Sequence, residues 1–138
     1  MPSLERNVRF VSPPTLPPSA GYSHVAEATR GRTIYVSGQV ALDPVGNLVG
    51  KGDLRAQTHQ VFLNLKAALE AAGADFSSVV KLTYYLRDIS GIQVVRQVRD
   101  QFVNTTEPPA SSAIEVSRLV RDEFLVEIDA VAVVPDAA

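Results

Sequence analysis

The chain has no cysteine and no tryptophan, one methionine and only two histidines. Without cysteine there is neither a disulfide nor a thiol nucleophile. His24 and His59 have no cluster of aspartate or glutamate at ligand spacing around them, so neither a metal site nor any other cofactor is expected. No apolar run approaches the roughly 18 residues that a membrane-spanning helix needs, and a membrane partner is excluded on that ground. Nor is one sign of charge concentrated. The net charge of −2 comes from intermixed acids and bases without the basic stripe that phosphate contacts require, which argues against nucleic acid. The first residues, "MPSLERNVRF", lack the apolar core of a signal peptide, so a cytoplasmic location is expected.

What is present is the composition of an ordinary globular protein, 46% apolar and 20% charged over 138 residues. We read residues 1–138 as one domain, with 1–21 a partly irregular N-terminal segment. After a short strand at Arg6 to Val11, "SPPTLPPSAGYS" carries four prolines and a glycine and reads as an extended surface connection. "SHVAEAT" and "RTIYVSGQVAL" read as strands joined by a tight turn at "RGR", followed by a "DPVGN" turn and a short strand "LVGK". Asp53 is placed to cap a helix with Leu54, Val61, Leu65, Ala68 and Ala72 at helical spacing, and Gly73 to end it. "SVVKLTYYLRDI" follows as a strand. Ser90 with Gln93 has the spacing of a capping box for a second helix, with Ile92, Val95, Val98 and Phe102 on one face. "EPPASSAIEVSRL" and "EFLVEIDAVAVV" complete the order as strands. Two amphipathic helices need a sheet to lie on, which predicts an α+β fold: one sheet with both helices on one face, the other face left bare and prone to self-association.

Within the last strand, Glu127 and Asp129 are two residues apart, so a pleated strand points both carboxylates to one face. A wet edge strand would place them in solvent. A cleft or subunit boundary would leave them partly dry, where a carboxylate binds its proton more tightly and suits acid–base work. Both readings stand on the pattern alone. "GNLVGKG" is no phosphate-binding loop, having three residues instead of four between Gly46 and Gly50, and Gly52 where serine or threonine should follow Lys51. Tyr22 and Ser111 are equally compatible with ordinary surface and strand positions.

Taken together, "AGYSHVAEA", "GRTIYVSGQVALDP", "GDLRAQTHQVFLNLKAALEAAGA", "VVKLTYYLRDI", "PASSAIEV" and "VEIDAVAV" resemble the YjgF/Rid family of reactive-intermediate (enamine/imine) deaminases from about Tyr22 to Val133. The resemblance implies a chorismate-mutase-like fold, a homotrimer and three clefts between neighbouring subunits. It also implies roles: Tyr22, Ser37 and Gly38 for positioning a small-molecule metabolite, and Glu127 for positioning water or moving the proton. One family residue has no counterpart. The arginine of "PARS" is Ser111 in "PASS", so the planar two-point grip on a substrate carboxylate is missing. Arg96, on the second helix where relatives often carry asparagine, is either a substitute anchor or a solvated surface residue beside Arg99. The resemblance therefore implies a hydrolase- or deaminase-like enzyme for an imine, enamine or amide-type metabolite, weak or inactive on 2-imino acids. The alternative is a non-catalytic trimer that binds or senses a metabolite in the same cleft.

Overall fold

The computed structural model describes residues 6–136. Its strands are β1 (Val8–Val11), β2 (Val25–Ala28), β3 (Arg32–Gln39), β4 (Val79–Leu86), β5 (Ala110–Glu115) and β6 (Val126–Val134), with helices α1 (Leu54–Ala71) and α2 (Ile92–Arg99). The fold is α+β. The main sheet has the order β3-β6-β4-β5 and is mixed, since β5 runs parallel to β4 and the other pairs are antiparallel. Leu82, Tyr84 and Leu86 of β4 and Val126, Ile128, Ala130 and Ala132 of β6 share one core with Val61 and Leu65 of α1 and Val95 and Val98 of α2. Both helices thus lie on one face, as the sequence predicts.

The first helix forms as its pattern dictates. Asp53 accepts a hydrogen bond from the amide of Ala56 at 3.1 Å, and Gly73, at φ +74°, ends the helix in a conformation that side chains resist. Phe62 stacks on Phe102 with centroids 5.1 Å apart, and Phe76 closes the aromatic group.

Three local readings are corrected. The "RGR" turn does not make a β2–β3 hairpin: β2 pairs with β1, and β3 pairs with β6. Strand β3 has Ile34 and Val36 to bury against the helices and needs the central apolar strand, whereas β2, "VAEA", contributes no side chain to that core. The resulting two-stranded hairpin is tied to the end of β6 by the buried Asn7, whose Nδ2 donates to the carbonyls of Arg30 and Val133, both at 3.3 Å. "LVGK" is not a strand. A single Leu42–Leu48 bridge closes a turn in which Asp43 Oδ1 accepts from the amides of Val45 and Asn47. Ser90 and Gln93 form no capping box: Asp88 accepts from the Ser90 amide at 2.9 Å and caps a short 3₁₀ turn, Ile89–Gly91, ahead of α2. An aspartate two residues earlier competes better than a serine because it offers a charged acceptor.

Candidate functional site

Strand β6 separates its side chains by parity. Val126, Ile128 and Ala130 are buried under the helices, while Glu127 and Asp129 are half-buried on the opposite face. Both carboxylates therefore share the open face, as the two-residue spacing requires. The segment leading into β6 is held by Gln57, a fully buried polar residue of α1. Its Nε2 donates to the carbonyls of Gly50 (3.1 Å) and Glu123 (2.9 Å), and its Oε1 accepts from the amide of Leu125 at 2.9 Å. A satisfied buried amide of this kind fixes where Glu127 begins its strand.

Ladder pairing between β3 and β6 is interrupted between Val36 and Gln39, the place of Ser37 and Gly38. The Glu127 side chain fills the space this irregularity leaves: a β-carbon at Gly38 would stand 2.1 Å from Glu127 Oε2. Any other residue would push the carboxylate away. Burial, and secondly the charge of Asp129, raises the proton affinity of Glu127 above the usual carboxylate range. Asp129 accepts a hydrogen bond from the Tyr85 hydroxyl at 3.0 Å, and Tyr85 is the cross-strand partner of Glu127.

The remaining predicted residues lie elsewhere. Tyr22 lines a groove of about 320 Å³ with Phe10, Gly21 and the 105–108 segment, and its ring meets His24 edge-on at 5.3 Å. Its loop is joined to the start of β5, because the Ser23 amide donates to Pro109 O and its hydroxyl to Pro108 O at 2.6 Å. Ser111 pairs with Leu82, a core residue, so it takes the helix side of the sheet. Strands β3 and β5 are opposite edges of the main sheet. One chain thus holds two groups, Ser37, Gly38 and Glu127 on the open face near one edge, and Tyr22 with Ser111 near the other edge. It does not bring them together.

Arg96 is half-buried on α2, close enough to Tyr84 to act on its hydroxyl. Sequence reasoning missed Arg99, which is buried at 5% exposure and paired with Asp100 through Nε (3.0 Å) and Nη2 (2.9 Å). Its guanidinium backs onto Gly21, where a β-carbon would lie 2.3 Å from Nη2, so it supports the loop that carries Tyr22. The helical spacing of Arg99 from Val95 was the available signal. Burial pushes the neighbouring Tyr84 phenol up to about 12, opposed by the charge of Arg99. The histidines serve the scaffold: His24 Nε2 donates to Pro17 O at 2.7 Å, and His59 packs on Phe102. Among the described residues, no group of three histidine, aspartate or glutamate side chains is placed to hold a metal ion. No described helix is long and apolar enough to cross a membrane.

The α+β fold, a mixed sheet with both helices on one face, is shared with proteins already known. Residues 14–134 match the family model described as Endoribonuclease L-PSP, and the chain belongs to this family, the YjgF/Rid family. A RutC family protein of Pyrococcus horikoshii is 39% identical over 83% of this chain and 88% of its own length. The human 2-iminobutanoate/2-iminopropanoate deaminase is 36% identical over 74% of this chain and 73% of its own length. Among solved structures, a Rid-family protein of unknown function from Yersinia pestis superposes with a TM-score of 0.85 and 38% identity, covering 94% of this chain and all of that one.

Proposed function

We propose that the chain, as a single Rid-like domain, assembles into a cytoplasmic homotrimer and catalyses water addition to a small imine, enamine or amide-type metabolite bound between two copies. Glu127 is the acid–base group. As a carboxylate it takes a proton from water while the oxygen attacks the C=N carbon, and it passes that proton to the nitrogen to give a carbinolamine. In the second half it takes the carbinolamine hydroxyl proton and delivers it to the departing nitrogen as the C–N bond breaks, so that a carbonyl compound and ammonia or an amine leave. Tyr22 and the Ser37–Gly38 backbone orient the ligand, and Ser111 lines the pocket. The observation that carries this reading is the Glu127 carboxylate lodged over Gly38 with its proton affinity raised. The separation of the two residue groups to opposite edges of one sheet supports a cleft completed by a second copy, as does the exposed apolar surface at Tyr35 and Ile114.

The deaminase names carried by relatives support C=N chemistry, while Ser111 in the arginine position sets this chain apart from carboxylate-gripping enzymes. Small 2-imino acids should therefore be poor substrates. Two carboxylates at the proposed site and a net charge of −2 oppose a polyphosphate backbone, so RNA is not the ligand we assign. The test is a panel of imines, enamines and amides assayed with wild type and Glu127→Gln. Turnover that falls roughly 10²-fold or more in the variant supports the enzyme. Ligand binding without turnover in either protein would instead favour a metabolite-binding module.

A further inference from the structure

We propose that Tyr85 and Asp129 are positioning residues that determine which carboxylate of the open face carries the proton, directing it to Glu127. The inference deepens the reading above and rests on Glu127 being its acid–base group. Tyr85 stands opposite Glu127 in the β4–β6 ladder, and Thr83 opposite Asp129, so the phenol reaches diagonally to Asp129 and donates at 3.0 Å. Cross-strand diagonals on one face are within reach of a side chain of this length. A carboxylate that accepts an O–H bond is favoured in its charged form. Glu127, its neighbour on the same face, feels the charge of Asp129 and binds a proton more tightly.

Lys81, Tyr35 and Ile114 share this face. Lys81 of β4 donates to the Ser112 hydroxyl of β5 at 3.0 Å, Tyr35 of β3 pairs with Val131, and Ile114 of β5 pairs with Tyr85. The phenol itself responds as the geometry requires: the hydrogen bond to Asp129, then burial, then the charges of Asp129 and Glu127 raise its proton affinity. All three groups therefore interact. At the C=N step the consequence is that Glu127, rather than the pair at random, supplies the proton to the departing nitrogen.

The test reads the proton directly. The Glu127 side-chain carboxyl is followed by carbon-13 NMR against pH in the intact wild-type protein, in Tyr85→Phe, which keeps the ring and removes one oxygen, and in Asp129→Asn. Asp129→Asn should lower the Glu127 midpoint through loss of a like charge. Tyr85→Phe should move it part of the way and broaden the transition, because the two carboxyls then share the proton. A Tyr85→Phe curve that superposes on wild type, or an Asp129→Asn curve that does, overturns the proposal. The readout does not depend on turnover. Shifted midpoints in a protein inactive on the whole panel would sink the catalytic reading and leave the proton assignment standing.

Discussion

The two faces of β6 are built from one run of nine residues, yet they do different things. On the helix side Val126, Ile128 and Ala132 have no exposed surface and Ala130 has 2%. On the open side Glu127, Asp129 and Val131 stay partly exposed, and the two acids interact with each other and with a tyrosine instead of with a core. The strand lies between β3 and β4, so from Val126 to Ala132 alternation along it decides whether a side chain meets the core or the open face. A charge can be held at a defined place because its immediate neighbours are anchored so firmly.

Substitutions on the two faces should therefore separate. Ile128→Ala removes buried methylenes from the common core and should lower unfolding free energy by about 2–5 kcal/mol, read from urea or thermal transitions. A loss below about 1 kcal/mol would mean that the helix face is not the source of stability claimed here.

The next effect concerns the edge group. Lacking a charge-assisted two-point contact at Ser111, the protein should hydrolyse 2-imino acids generated by a dehydratase or amino-acid oxidase more slowly than an arginine-bearing relative. A deficit of roughly 1.5–3 kcal/mol corresponds to at least tenfold and up to several hundredfold in kcat/KM. Ser111→Arg should recover part of it. Wild-type rates equal to the relative's would show that another cation, Arg96 first, has taken over the anchor.

The smallest effect lies on the open face and has the opposite sign from the first. Glu127 holds its proton more tightly when folded than when unfolded. Its contribution to stability is thus fully present below the ordinary carboxylate value and is lost as pH rises through the raised one. Glu127→Gln should accordingly stabilise the fold at neutral pH by at most about 1 kcal/mol, because the half-buried group is still partly screened by solvent, and the advantage should vanish in acid. Parallel unfolding curves across that pH window would remove the link between burial and proton affinity.

Much of this was legible in the sequence. Helix α1 was, because Asp53, the apolar spacing and Gly73 all speak locally, and so was the shared face of Glu127 and Asp129, because alternation in a strand leaves no other outcome. Partner choice among strands was not. "RGR" looks like a hairpin turn, and only the competition of Ile34 and Val36 for the central strand decides against it. At the site, Tyr22, Ser37, Gly38, Ser111 and Glu127 were indicated by family likeness, whereas Gln57, Tyr85 and Arg99 were not, since their roles depend on contacts made 68, 44 and 78 residues away in the chain.

The central claim is that Tyr22 and Glu127 work in one cleft while belonging to different copies. It is tested most directly by mixing two inactive variants. Tyr22→Phe and Glu127→Gln are unfolded together, refolded at equal ratio and assayed on a substrate that wild type turns over. Random assembly of copies leaves about a quarter of the clefts with both native residues, and the account predicts recovery of about that fraction of wild-type activity. If both residues of a working site came from the same chain, each copy would carry one defect wherever it sat, and the mixture would remain as inactive as its components.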